Sequence, residues 1–160
     1  MRLFRRGGAP DVMTVHRRRQ RERPPVTFSG VDASDLGSPQ FRPYEFRTDS
    51  GVEVRLHDMD LLGFDYGVHA ATLTLRFAYT DPAWTPAEAV ATPVAVFRFT
   101  GVTVWRWEDE PDLAGTPPAA RGEVLDVDHV PTARVFAVTT AATRLTFSAD
   151  HLAVHMEPAP

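Results

Sequence analysis

The sequence predicts an all-β fold, mainly an antiparallel sandwich or a curved sheet with at most one or two short helical turns. The first observation is strict alternation: Val52, Val54 and Leu56 are separated by charged residues, and residues 72–77 repeat the same pattern. Alternation with period two, rich in β-branched and aromatic residues, is typical of a half-buried strand. The second observation is that turn-forming residues such as Asp49-Ser50-Gly51 separate the apolar runs. The third is that no segment carries a sustained helical stripe.

More strands are predicted along the rest of the chain. The longest apolar run spans residues 94–107 and is interrupted by Thr100-Gly101, which indicates a bulge or a bend between two strands. Other apolar runs lie at residues 124–127, 135–138, 145–147 and 152–156, with shorter candidates at 41–46 and 61–66. Short strands at this spacing indicate an antiparallel sandwich or a strongly curved sheet.

Two short segments are candidates for helical turns. Residues 86–90 have Thr85 as a possible N-cap and Pro86 at the first helical position, and residues 32–37 are the second candidate. Residues 108–121 are polar and rich in proline, and they are predicted to form a long loop. Further turn signals are found at Asp81-Pro82, at residues 114–118 and at residues 148–150.

Composition and charge divide the 160 residues into two parts. Residues 1–25 hold eight arginines against two acidic residues, end in two prolines and show no apolar periodicity, so we predict a disordered leader. An unstructured extension is favoured over an arm that binds nucleic acid, and a start at Met13 is a third interpretation. Residues 26–160 hold nine arginines against nineteen acidic residues, a net charge of −10, and are predicted to form one β domain.

Several classes of protein and site are not expected. The chain has no cysteine, which excludes disulfides and thiolate metal sites. No run of about 18 apolar residues is present, so no membrane span is predicted. There is no Gly-x-Ser-x-Gly elbow and no phosphate-binding glycine loop before a helix, and the five serines lie in turn-like contexts. We therefore predict no catalytic residues and no cofactor.

Two groups of polar residues are candidates for metal binding. The first is His57-Asp58-Met59-Asp60 with His69 downstream, since imidazole and carboxylates bind divalent metals. Its spacing matches no known ligand pattern, so a polar turn that leads into the next strand is the favoured interpretation and no metal is predicted. The second is Asp126 and Asp128 with His129. Residues two apart on a strand share a face, and the favoured interpretation is a solvated outer face.

The segment after residue 104 is the candidate for binding a partner. Trp105 and Trp107 would share one face of a strand, either filling the core, which is the favoured interpretation, or standing exposed as binding anchors. An acidic cluster follows in the predicted loop, formed by Glu108, Asp109, Glu110 and Asp112. An exposed acidic loop beside aromatic residues suits a basic partner, because complementary charge speeds encounter. The alternative is a solvated loop that keeps the protein soluble.

The order of the motifs resembles the immunity protein 50 family of bacterial polymorphic toxin systems, over roughly residues 41–157. The similarity is carried by Leu56-His57-Asp58-Met59-Asp60-Leu61-Leu62, by residues 71–77 and 96–102, and by the closing runs at 143–147 and 152–154. Its most specific elements are His57-Asp58 before a Leu-rich strand and Phe99-Thr100-Gly101-Val102 in a later one.

This resemblance implies a non-catalytic protein that binds and neutralises a cognate toxin in the cytoplasm. The acidic body is compatible with that role, because toxins that attack nucleic acid are usually basic and would attract an acidic inhibitor. Nucleic acid is not expected as a partner, and a homodimer through an edge strand stays open. The alternative function is a small β-sandwich or barrel that binds a ligand or a metal through His57, Asp58 and His69.

Overall fold

The computed structural model of the chain describes residues 23–57, 59–79, 94–109 and 121–157. Several sequence predictions lie outside these residues. They are residues 1–22 of the leader, Asp58, the turn at Asp81-Pro82, the helical turn at 86–90, the acidic residues Glu110 and Asp112, and residues 110–120 of the Pro-rich loop.

The described residues form eleven strands and one short helix. In chain order they are β1 (Thr27–Ser29), α1 (Ala33–Leu36), β2 (Glu45–Arg47), β3 (Glu53–Arg55), β4 (Leu61–Gly67), β5 (Thr72–Ala78), β6 (Val94–Thr100), β7 (Thr103–Asp109), β8 (Val124–Val130), β9 (Val135–Thr140), β10 (Thr143–Ser148) and β11 (His151–Glu157). The all-β prediction is confirmed, and the helical turn predicted at 32–37 is α1, with Asp32 as its N-cap.

The strands are arranged in two main sheets and a small hairpin. The first sheet has the order β1-β11-β6-β5-β4, and the second has the order β7-β10-β9-β8. All neighbours are antiparallel except β1 and β11, which run parallel. Strands β2 and β3 form a separate two-stranded sheet among the described residues. The bend predicted at Thr100-Gly101 separates β6 from β7, and Gly101 there has a φ of +66°.

The core lies between the two main sheets. Phe97 and Phe99 point inward from β6, and Phe136 and Phe147 point inward from β9 and β10, all of them fully buried. The Phe99 ring centroid lies 5.0 Å from that of Phe136 and 4.8 Å from that of Phe147, so the aromatic contacts join one sheet to the other. This arrangement is a sandwich, which is the first of the two architectures that the sequence predicted.

Strand β4 crosses the end of the second sheet. The Leu61 amide donates to the Gly122 carbonyl at 2.7 Å, and the Val124 amide donates to the Met59 carbonyl at 2.7 Å, so the start of β4 meets the start of β8. Further along β4, the Phe64 ring lies 4.7 Å from the Trp107 ring on β7, which is the opposite edge of the second sheet. The strands of the two sheets therefore cross at a large angle near β4.

Two predictions about the elements need correction. The segment 41–46 forms a strand only from Glu45. Strand β1 was not predicted, because its three residues are too few to show an alternation. Glu108 and Asp109 are the last residues of β7 and do not belong to a loop. No helix among the described residues has the length and apolarity needed to cross a bilayer.

Candidate functional site

Trp105 and Trp107 are exposed on β7, so the favoured interpretation that they fill the core is wrong. Their exposed fractions are 57% for Trp105 and 46% for Trp107. Trp107 lies opposite Leu145, which is buried, and therefore faces the inner side of the second sheet. It remains accessible because β7 is the edge strand of that sheet. Both tryptophans can therefore contact a partner.

A β-bulge explains why the two tryptophans do not follow the predicted alternation. Arg106 pairs with Thr146 and Val104 pairs with Phe147, so Trp105 is an extra residue that has no pairing partner on β10. The same irregularity occurs at Leu62 in β4 and at Leu125 in β8. All three strands are sheet edges, and all three extra residues are apolar and about half exposed. Bulges at edges are a common device that turns side chains outward and limits further pairing.

The exposed aromatic residues of β4 and β7 meet at one place, which we call the aromatic corner. It consists of Phe64, Tyr66 and Trp107, standing over Leu73, Val104 and Leu145. The Phe64 and Trp107 rings are 4.7 Å apart and tilted by 51°. Phe64 is 50% exposed and Tyr66 is 37% exposed, although their partners on β5 are buried. The corner lines a cavity of about 330 Å³ that is open to solvent and whose walls are all apolar or aromatic side chains.

The sequence predicted a strand over residues 61–66 but not the role of Phe64 and Tyr66 in this corner. The signal was present: Leu62, Phe64 and Tyr66 alternate with Gly63 and Asp65. The alternation correctly indicates that Phe64 and Tyr66 share one face of a strand, while Leu62 is the extra residue of the β4 bulge. It does not show that the opposite sheet stops before covering that face, because this depends on how the two sheets cross.

One acidic side chain, Asp109, lies directly beside the aromatic corner, and Glu108 lies on the opposite face of β7. Glu108 forms an ion pair with Arg106 at 2.8 Å, and the Trp107 Nε1 donates to Asp109 Oδ1 at 3.3 Å. Both contacts are between residues two apart on the same strand, so each pair shares a face of β7. The second contact orients the indole towards the acidic end of the strand. The other predicted acidic residues, Glu110 and Asp112, lie outside the described residues.

The predicted histidine region forms a polar turn. His57 is exposed, and its Nδ1 lies 2.6 Å from the Tyr44 hydroxyl, which gives the imidazole a hydrogen-bond partner. The Met59 amide donates to the Leu56 carbonyl at 3.1 Å, which closes the turn before β4. His69 is exposed in the turn between β4 and β5. Within residues 23–57, 59–79, 94–109 and 121–157, no three His, Asp or Glu side chains are close enough to hold a metal.

Asp126 and Asp128 share the outer face of β8, as the alternation predicts. Partial burial raises the pKa of Asp126, and the hydrogen bond and the negative charge of Asp128 act in the same direction. His129 points to the other face and stacks on Phe136 with the ring centroids 4.4 Å apart. Burial lowers the pKa of His129, and its Nε2 is buried without a hydrogen-bond partner among the described residues. The neutral form of this imidazole is therefore favoured in the folded protein.

One arrangement of a serine and a histidine was not predicted from the sequence. The Ser29 Oγ lies 3.1 Å from the His151 Nε2, and the Thr27 Oγ1 lies 2.8 Å from the His151 Nδ1. The distance between serine and histidine suits a nucleophile and its base, but the third group is a neutral hydroxyl that cannot stabilise an imidazolium as a carboxylate does. We interpret the three side chains as hydrogen-bonded contacts that hold β1 against β11. Because 122 residues separate Ser29 from His151, no local sequence pattern predicts the contact.

The aromatic corner, with Asp109 beside it, is therefore the site that the structure offers most clearly. It combines accessible aromatic rings, an apolar cavity and a carboxylate at one sheet edge. No protein-family model, no curated protein and no solved structure matches the chain.

Proposed function

We propose that the chain is a non-catalytic immunity protein that binds and neutralises a cognate bacterial toxin in the cytoplasm. The observation that carries the proposal is the aromatic corner, where Phe64, Tyr66 and Trp107 are exposed together beside Asp109. The resemblance to the immunity protein 50 family motivates the choice of a toxin as the partner.

The exposed aromatic rings support binding to a protein. Trp and Tyr are enriched among the residues that dominate the energy of protein interfaces, because a large rigid ring buries much apolar area with little loss of entropy. Clustering adds to this argument, since single exposed apolar residues are ordinary while a group beside an apolar cavity is not. Phe64 and Trp107 already contact each other, so the surface is partly organised before a partner arrives.

The charge of the domain supports a basic partner. Residues 26–160 carry a net charge of −10, and Asp109 places part of that charge beside the aromatic corner. An acidic surface increases the rate at which a basic protein is encountered, and the effect falls as salt rises. A toxin that acts on nucleic acid has this basic character.

The proposal is tested by co-purification of the tagged chain with the product of the neighbouring gene at moderate salt. We expect a stoichiometric complex. Trp107→Ala should weaken it by about 30-fold or more, corresponding to a loss of about 2 kcal/mol for a central aromatic anchor. Val130→Ala is the matched control, since Val130 is 49% exposed on β8, the opposite edge of the second sheet. A complex that is absent, or equally weakened by both substitutions, contradicts the proposal.

The contribution of charge is tested with a second pair of variants. Neutralising Glu108, Asp109, Glu110 and Asp112 together should weaken the complex and reduce its dependence on salt. The control is Asp49→Asn, because Asp49 is exposed in the turn between β2 and β3. If the complex keeps its affinity and its salt dependence after neutralisation, these carboxylates do not face the partner.

A further inference from the structure

The second sheet ends at β7 where the aromatic corner lies. Among the described residues, β7 is its last strand on this side. Beyond β7, the inner face of the first sheet continues with Phe64 and Tyr66, whose partners on β5 are buried. The aromatic corner is therefore inner sheet surface that the second sheet does not reach.

Beyond the bulge at Trp105, residues 106–109 of β7 offer an uninterrupted edge to another strand. Strand β7 spans seven residues, and within the described part of the chain its only strand partner is β10. Every second residue of such an edge presents its backbone N–H and C=O away from the sheet. The other edges offer less: β1 has three residues, and the starts of β4 and β8 are bonded to each other through Leu61 and Gly122.

We propose that the partner protein inserts an extended segment beside β7, so that the second sheet gains a fifth strand that covers the aromatic corner. The inference rests on the proposed function and specifies how the toxin is bound. Neighbouring strands lie about 4.8 Å apart and packed sheets about 10 Å apart. A strand added beside β7 would thus lie over Phe64 and Tyr66, at the distance that packed side chains occupy.

The chemistry of the corner defines the inserted segment. Its inward residues are apolar at alternate positions, because one side of an added strand faces the apolar cavity of about 330 Å³. It carries a basic residue near the end of β7, where Asp109 lies beside Trp107. Backbone hydrogen bonds along the edge provide affinity, and the cavity selects the side chains.

Amide hydrogen exchange of this chain, with and without the product of the neighbouring gene, tests the inserted strand. In the free protein, alternate amides of β7 should exchange rapidly, because they face away from β10. In the complex, these same amides should exchange at least 100-fold more slowly. A complex that forms while the β7 amides keep their rapid exchange overturns the inserted strand but leaves the proposed function intact. No complex at all overturns both.

Two further measurements identify the occupant. Sedimentation of the chain without the partner should give a monomer; a dimer with protected β7 amides would show that a second copy occupies the edge and would overturn the proposal. Asp109→Arg should weaken the complex at least tenfold, whereas Asp49→Arg, which makes the same charge change at an exposed turn, should leave it unchanged. Equal effects of the two reversals would contradict a basic residue placed at the end of β7.

Discussion

Replacing Gly30 by alanine should destabilise the protein more than the same change at Gly51. Both glycines have a positive φ, +76° for Gly30 and +87° for Gly51, which an L-residue adopts only with strain. A Cβ at Gly51 would meet no atom within 4 Å. A Cβ at Gly30 would overlap the carbonyl oxygen of Val154 and lie 2.9 Å from its carbonyl carbon. This neighbour is backbone of β11 and cannot rotate away.

The two effects can be separated in size. Left-handed strain is worth about 1–2 kcal/mol, partly offset by the smaller entropy of the unfolded chain, so Gly51→Ala should lose about 1 kcal/mol. Gly30→Ala carries the same strain and also forces β1 away from β11. Overpacking of this kind adds about 1–3 kcal/mol, which gives a total loss of about 2–4 kcal/mol.

Urea unfolding of both variants measures the free energy of unfolding directly, and an unchanged m-value would show that the comparison is valid. Gly51→Ala is the matched control, since it shares the backbone conformation but not the close approach. If the two variants lose the same free energy within about 0.5 kcal/mol, the backbone of Gly30 does not lie against β11 as described, and the parallel pairing of β1 loses its main support.

Three other changes have predictable effects on stability. As pH falls below the ordinary histidine pKa of 6.5, His129 takes up a proton in the unfolded chain before it does so in the folded protein, so the folded protein loses stability down to the lowered native pKa. His129→Phe should remove this loss. Thermal unfolding between pH 7 and pH 5 measures the difference between the variant and the unchanged protein. Asp126→Asn should raise the melting temperature at pH 7 and not at pH 3. Partial burial and the neighbouring Asp128 raise the pKa of Asp126, so this carboxyl contributes stability that is present at low pH and lost as pH rises from 3.8 through the native pKa. Equal shifts of the melting curves at the two pH values would contradict this. Thr48→Val should lose about 1–3 kcal/mol in urea unfolding, because the buried Thr48 hydroxyl accepts from the Val52 amide at 2.9 Å; an unchanged midpoint would show that this bond contributes nothing.

Most strands could be predicted from the sequence because alternation reports directly on burial. Residues 72–77 and 152–156 alternate in the sequence, and the structure buries Leu73, Leu75, Leu152 and Val154 as the pattern requires. The bend between β6 and β7 could also be predicted from Gly101, because a chain that reverses between two strands often needs a residue with a positive φ.

The site could be predicted only in part, and the bulges explain much of the difference. A single extra residue shifts the alternation, so Trp105 and Leu125 are exposed at positions where apolar character favoured burial. The partnership of Phe64 with Trp107 depends on how two sheets cross, and 43 residues of sequence separate the two rings. Local pattern carries no information about such a contact.

Growth rescue tests the central claim most directly. The product of the neighbouring gene is expressed in bacteria with the full chain, with Trp107→Ala or with Val130→Ala, and the levels of the three proteins are matched. We predict that the unsubstituted chain and the Val130→Ala variant restore growth. Trp107→Ala should not restore it, because only this substitution removes the centre of the aromatic corner. Growth that fails with the full chain, or that Trp107→Ala restores equally well, would contradict the account.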